Sequence, residues 1–257
     1  SKYVESLTGD TFLNVSNNLK RNRPVLYCGA PCQIAGLKRF LRADPDNLYT
    51  CDFICGGFPS HILYRQYLDE LERRYRSKVT KVDFRPKTLG WETYAIYIQF
   101  ANGKIYHQPA VLDPYFSAFV YKHYSVRKSC AQCPFYNSHE ADITLGDFWQ
   151  YREFLDVTGK SSGMSLLCAN SEKGLHFIEK AMPEMNGRQL NTQYAVSAIF
   201  KKSASSPLLE TQRQEFLLSC KEYGLKTAAQ KYCLPSRKKR MLIRIKSAFK
   251  YILRRVK

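Results

Sequence analysis

The sequence predicts an α/β fold, a mixed sheet with flanking helices followed by a mostly helical C-terminal part. Three observations carry this. Two strand–loop–helix units follow one another, over 24–41 and 48–76, the pattern of a layered α/β core. Asn102-Gly103 between two β-prone runs signals a hairpin. From Asn191 onward the β-prone runs stop and helical spacing takes over.

Taken in order, Pro24-Val25-Leu26-Tyr27-Cys28 is a β-prone run turned by Gly29-Ala30-Pro31. Cys32 to Leu41 then has helical spacing, with Ile34, Leu37, Phe40 and Leu41 on one side. Leu48 to Cys55 reads as a buried strand, broken by Gly56-Gly57. Pro59-Ser60 starts and caps a helix to about Arg76, with Ile62, Leu63, Tyr67, Leu68 and Leu71 as its apolar stripe. Each unit delivers a cysteine to the C-terminal end of its strand. Val79 to Phe84 predicts a strand; Tyr94 to Phe100 and Lys104 to His107 predict the hairpin. Asp113 to Tyr121 predicts a short aromatic-rich helix leading to Cys130-Ala131-Gln132-Cys133. Ala141 to Asp147 predicts a short buried strand ending in a Gly-Asp turn, and such strand ends are where α/β proteins hold ligands. Tyr151 to Ser162 reads as loop, Met164 to Ala169 as strand, and Glu172 to Met182 and Pro207 to Tyr223 as helices. After Pro235, Leu242, Ile245, Phe249, Ile252 and Val256 recur every three or four residues, an amphipathic helix with a cationic face. The expected division is an α/β core over 1–200, a helical part over 201–233 and a basic terminal helix over 234–257.

With 257 residues, 44% apolar and 24% charged, the chain has the composition of a folded protein and not of a disordered one. No apolar run approaches the roughly 18 residues a spanning helix needs. No signal pattern opens the chain, so the expected location is the cytoplasm. Its first residues, from Ser1, read as mid-domain sequence, the later part of a longer polypeptide. The formal charge is +18, but ten of the 40 Lys and Arg lie in 234–257, which holds no acid. The other 233 residues carry 30 basic and 22 acidic side chains, a balance suited to anionic ligands without specifying nucleic acid. The tail's regular apolar spacing points to an anionic membrane surface, peripheral at its inner face, or to an acidic partner, ahead of nucleic acid.

Nine cysteines, an odd number without a signal, argue against a secreted disulfide framework. Cys130 and Cys133, two residues apart and followed by Pro134, suit a metal centre or a redox dithiol. Cys32, Cys55, Cys130 and Cys133 each lie beside Gly or Pro or in a turn after a strand. Four thiolates suit a [4Fe–4S] cluster or a structural zinc, and spacing does not separate the two. The plain alternative is that Cys32 and Cys55 are small buried hydrophobes. A helix start is expected to lower the Cys32 pKa. Cys28, Cys51, Cys168, Cys220 and Cys233 read as buried structural thiols, and no histidine has ligand spacing.

These stretches resemble the coenzyme F420 hydrogenase/dehydrogenase β-subunit family, which includes flavin- and iron–sulfur-containing β subunits and the plant 7-hydroxymethyl chlorophyll a reductase. The resemblance runs through Gly29-Ala30-Pro31-Cys32-Gln33-Ile34-Ala35-Gly36-Leu37-Lys38, Cys55-Gly56-Gly57-Phe58-Pro59-Ser60, and Phe84-Arg85-Pro86-Lys87 with Gly90-Trp91. It continues in Ser129-Cys130-Ala131-Gln132-Cys133-Pro134-Phe135, Ala141-Asp142-Ile143-Thr144-Leu145-Gly146-Asp147-Phe148-Trp149 and Gly163-Met164-Ser165-Leu166, with Ser1-Lys2-Tyr3-Val4 at the start. It covers most of residues 1 to about 220.

The resemblance implies an oxidoreductase with a [4Fe–4S] cluster on Cys32, Cys55, Cys130 and Cys133 and FAD close by. Coenzyme F420 or NAD(P)H is the implied hydride donor or acceptor, and a redox partner protein or ferredoxin-like domain the electron partner. Gly29, Pro31 and Gln33, at a helix start, are expected to bring backbone N–H groups to a phosphate or cluster sulfide. Thr144, Gly146 and Asp147 are expected at the flavin's polar edge, Trp149 stacked on it, and Lys2 and Tyr3 at its diphosphate and ring. Arg85 and Lys87 are candidates for an anionic substrate. Hydride transfer needs no side-chain base, and no catalytic residue is named. Gly56 stands where the family usually has His, and the family's frequent upstream ferredoxin-like segment is absent from these residues. The competing reading is a zinc-stabilised nucleic-acid-binding protein with a basic C-terminal tail.

Overall fold

Two sheets organise the chain. The computed structural model describes residues 3–87, 90, 91, 95–136, 138–149, 151–154, 163–190 and 207–255. The first sheet has the order β1-β2-β6-β7, with β1 Val25–Cys28, β2 Leu48–Phe53, β6 Ile143–Asp147 and β7 Ser165–Ala169. Its first three strands are parallel and β7 runs antiparallel to β6, so the predicted mixed α/β sheet is what forms. Helices α1 (Thr11–Lys20) and α2 (Pro31–Leu41) cover it. Val15, Leu37 and Leu48 form that core, with Phe12, Leu19, Val25, Tyr27 and Leu41 packed around them. Helix α1 is not among the predicted elements, and its Asn14, Asn17 and Asn18 are poor helix formers. Tertiary burial of Phe12, Val15 and Leu19 outweighs that.

α2 begins where its sequence says it should. Pro31 occupies the first turn, where its missing N–H costs nothing. The Gln33 carboxamide accepts a hydrogen bond from the Ala30 N–H at 2.9 Å. Helix α3 (His61–Tyr75) starts at Ser60, whose hydroxyl accepts from the Leu63 N–H at 3.4 Å. The stripe of α3, however, does not return to the first sheet. Leu63, Tyr67 and Leu71 join Phe84, Ile96, Ile98, Phe100 and Tyr106 in the core of a second, antiparallel sheet. That sheet has the order β3-β4-β5, from Val79–Asp83, Ala95–Phe100 and Ile105–Pro109, with Gly103 (φ +78°) in its hairpin turn. Tyr94, placed in the hairpin by sequence, lies outside the described residues.

A short helical turn, α4 (Pro114–Phe116), runs into a π-helical turn over Ser117–Tyr121. Asp113 caps it, accepting from the Phe116 N–H at 2.7 Å and from the hydroxyls of Tyr67 and Tyr106 at 2.6 and 2.8 Å. Four short or mid-length helices follow: α5 Lys128–Ala131, α6 Tyr151–Phe154, α7 Glu172–Ala181 and α8 Pro207–Tyr223. Gly224 (φ +86°) turns α8 into α9, Leu225–Tyr232. Phe216, Cys220, Leu225, Ala228 and Ala229 pack into the second-sheet core. Helix α10 spans Arg237–Arg255.

Three expectations need correction. Gly146 and Asp147 are not a turn; they pair with Leu166 and Ser165 as part of β6. Tyr151–Phe154 is helical, not loop. Cys28 is exposed, because β1 is the edge strand of its sheet.

Candidate functional site

The first sheet brings two of the predicted thiols together through register alone. Cys28 lies opposite Cys51 in the parallel β1–β2 pair, so chains leaving these two strands reach Cys32 and Cys55, each four residues on, from neighbouring ends. The other two thiols arrive by loop pairing. Pro59 and Val126 form an antiparallel bridge, the Ser60 N–H donates to the Ser125 carbonyl at 2.7 Å, and the Arg127 N–H donates to the Phe58 carbonyl at 2.9 Å. Arg127 stacks on the Phe58 ring at 5.6 Å and pairs with Glu5, which also meets His61. These contacts carry α5, and with it Cys130, onto the Cys55 loop.

The sulfurs meet backbone donors there. The Gly57 N–H donates to Cys55 Sγ and the Phe58 N–H to Cys130 Sγ, both at 3.4 Å. Burial pushes the Cys55 thiol up to about 11, the Gly57 N–H pulls the other way, and the thiols of Cys130, Cys32 and Cys133 each raise it further. Cys32 is raised by burial and then by Cys133 and Cys130, against the N–H groups of its own helix start. The helix terminus therefore does not win at Cys32, contrary to expectation. All four predicted thiols share one electrostatic neighbourhood, and each is only partly exposed.

Four cysteine sulfurs are a donor set that suits an iron–sulfur cluster or a zinc ion. Among the described residues no three His, Cys, Asp or Glu side chains are close enough to hold one metal ion. A single zinc gathers its sulfurs at about 2.3 Å from one point, whereas a cubane spreads its four thiolates over the corners of a larger body.

A second group adjoins this one. Ile54, the neighbour of Cys55, packs against Trp91, Phe148, Tyr151 and Leu166. A Cβ at Gly146 would stand 2.4 Å from Ile54 Cδ1, so the Ile54 side chain would have to shift. Trp149 stacks on Trp91 with ring centroids 4.3 Å apart, yet remains 42% exposed. The Arg85 guanidinium lies 5.1 Å over the Trp149 ring and pairs with Asp147 at 2.7 Å. Tyr3 (φ +66°) interacts electrostatically with Arg85 and packs edge-on against Phe84, Phe116 and Phe119. Gly163 (φ +110°) lies so close to Trp91 that a Cβ would meet its ring at 2.4 Å. Asp147, Trp149, Tyr3 and Arg85 therefore form one partly open platform beside the cysteine loops.

Other predicted residues hold the framework. Thr144 is 2% exposed within β6; its hydroxyl donates to Asp52 at 2.5 Å and accepts from Asn170 at 2.8 Å. Gln33 is occupied with the Ala30 N–H and with Thr8. The Gly29 N–H donates to the Cys51 carbonyl at 3.0 Å, closing the β1 end on which Pro31 starts α2. Lys2 lies outside the described residues. Sequence reasoning missed a buried pair, the His139 ring nitrogen Nδ1 at 2.8 Å from Asp52 Oδ2. Eighty-seven positions separate them, and only the parallel β2–β6 pairing, with Asp52 opposite Thr144, shows why they meet.

A family model for the C terminus of the coenzyme F420 hydrogenase/dehydrogenase beta subunit matches residues 22–191. That range contains all four thiols and the Arg85–Trp149 platform apart from Tyr3. No curated protein matches the chain. A solved chain of the xenon-derivatised F420-reducing [NiFe] hydrogenase complex from Methanosarcina barkeri aligns with 93% of this chain and 73% of its own. The identity is 14% and the TM-score 0.44.

Proposed function

The chain belongs to the coenzyme F420 hydrogenase/dehydrogenase β-subunit family, and from that membership we propose that it is an iron–sulfur flavoprotein oxidoreductase. It passes electrons between a hydride donor or acceptor of the F420 or nicotinamide type, FAD and a [4Fe–4S] cluster. Cys32, Cys55, Cys130 and Cys133 hold the cluster. The observation that carries the reading is the meeting of the two cysteine loops, where the Gly57 N–H donates to Cys55 Sγ and the Phe58 N–H to Cys130 Sγ, both at 3.4 Å.

FAD, when bound, supplies the one chemistry the chain lacks, exchange between hydride pairs and single electrons. The residues supply position and exclusion of water. The N–H groups of Gly57 and Phe58 hold two of the ligating sulfurs. Trp149, stacked on Trp91 and covered by Arg85, offers an aromatic edge for a planar ring to pack against, and Arg85 and Asp147 offer paired donor and acceptor groups beside it. Tyr3 and the Gly29-Ala30-Pro31 turn complete the proposed flavin border. Partial exposure of the four thiols leaves the cluster within reach of a redox partner protein or ferredoxin-like domain. Nine free thiols suit the reducing cytoplasm.

Anaerobic mixing with reduced F420 or NADPH tests this. The expected result is bleaching of the flavin band followed by a reduced-cluster signal in electron paramagnetic resonance. A protein that carries flavin and cluster yet responds to neither donor nor to reduced ferredoxin contradicts the electron-transfer role.

A further inference from the structure

Away from the cysteine loops, cationic side chains gather on α10 and around the cavity beneath it. This cavity, about 810 Å³, lies between α3, α9 and α10, over Leu71 and Tyr106. Arg74, Lys226, Arg237, Arg240 and Arg244 line it. The acid in its lining, Glu70, is taken up by the N–H groups of Leu225 and Lys226, at 2.6 and 3.0 Å. Helix α10 itself, RKKRMLIRIKSAFKYILRR, has nine Lys or Arg and no acid.

The helix is not only basic. Met241, Leu242 and Ile245 are 66, 57 and 56% exposed. Arg237, Lys238, Arg240, Met241 and Arg244 line the cavity, while the exposed Leu242 and Ile245 are outside its lining. The sequence continues that spacing at Phe249 and Ile252. A free anion or a nucleic acid would engage the cations and leave the apolar residues in water. A second copy of the same helix would bring like charges face to face. A bilayer with anionic headgroups accepts both sets at once, apolar side chains among the acyl chains and basic ones at the phosphates.

We propose that α10 is a membrane-docking helix that lies in the surface of an anionic phospholipid bilayer, inserting Leu242 and Ile245 and binding headgroup phosphates with Arg237, Arg240 and Arg244. The arginine stems bend back from the apolar side to the headgroup level. No helix among the described residues is long and apolar enough to cross a membrane, so the contact is peripheral. The inference stands apart from the electron-transfer reading and uses none of its residues.

Co-sedimentation of the full chain with vesicles tests it, using phosphatidylcholine alone and phosphatidylcholine mixed with an equal part of phosphatidylserine. The chain should sediment with the mixed vesicles and not with the neutral ones. The exposed pair change Leu242→Ser with Ile245→Ser should weaken binding by at least about tenfold, and each of Arg240→Gln and Arg244→Gln by roughly fivefold. Leu242 and Ile245 are at solvent, and an unaltered melting temperature checks that each variant is folded. Equal binding to both vesicle types, unchanged binding by the serine pair, or retention by duplex DNA or an acidic protein without vesicle binding would overturn the proposal.

Discussion

Exchanging Gly57 for alanine probes the junction of the two cysteine loops. Gly57 has φ +101°, a conformation in which a Cβ costs about 1–2 kcal/mol. The added methyl would also stand 3.2 Å from Val126 Cγ1 and 3.4 Å from Cys130 Cβ, closer than a relaxed contact. Together these put the cost of Gly57→Ala near 2 kcal/mol, roughly 4–8 °C of melting temperature for a chain this long. The neighbouring Gly56→Ala is the control, because a Cβ there meets nothing within 4 Å and its φ is not positive. Gly57 also donates its N–H to Cys55 Sγ, so the strained variant should bind less iron per chain, whereas the control should bind the full amount. Thermal unfolding by circular dichroism under anaerobic conditions, run beside iron analysis, reads both effects. Gly57→Ala behaving like Gly56→Ala in both measurements would refute the idea that this glycine joins the loops.

Three further outcomes follow from the same geometry. Gly56→His restores the residue the family usually carries, and a Cβ at that position meets nothing within 4 Å; one new N–H···S bond of about 1 kcal/mol should raise a one-electron potential by roughly 40 mV, read by redox titration. Asp147→Asn breaks the pair with Arg85 and should weaken FAD binding about tenfold, measured by flavin titration, with iron per chain unchanged. Asp142 accepts from the Thr50 N–H and hydroxyl and from Ser171 at 2.7–2.8 Å. Burial raises its pKa, but those bonds and the Lys173 charge outweigh burial and hold it below the usual value. Its stabilisation is therefore complete above the unfolded value of about 3.9 and is lost as pH falls through the lower folded value. Asp142→Asn should cost about 2–4 kcal/mol near neutral pH, a gap to the native sequence that closes only in that acid range in urea unfolding.

Local chemistry makes much of this fold legible. The Pro31 start and Gln33 side chain of α2, the Ser60 cap of α3 and the Asn102-Gly103 turn each act within a few residues, so the sequence announces them. What α3 packs against is not legible, because an apolar stripe states that a face is buried and not which sheet buries it. The end of β6 misleads for a similar reason. Gly146-Asp147 looks like a turn until β7 arrives from the far side of Trp149 to pair with it. At the site, the four cysteines stand out by their neighbours and by the family likeness, yet the Pro59–Val126 pairing that joins their loops leaves no mark in either segment. Asp52 and His139 lie in unrelated stretches, and their meeting depends on strand order. Trp149 is the intermediate case. Its motif marks it as an aromatic of the site, but its stack on Trp91 and its cover by Arg85 require the fold.

Metal and sulfide analysis of anaerobically purified protein bears most directly on the convergence of Cys32, Cys55, Cys130 and Cys133. The account predicts about four iron and four acid-labile sulfides per chain, with iron falling sharply when any one of the four is changed to alanine and holding when Cys220 is changed. Colourless protein with one zinc per chain, or full iron retained without Cys32 or Cys55, would contradict it.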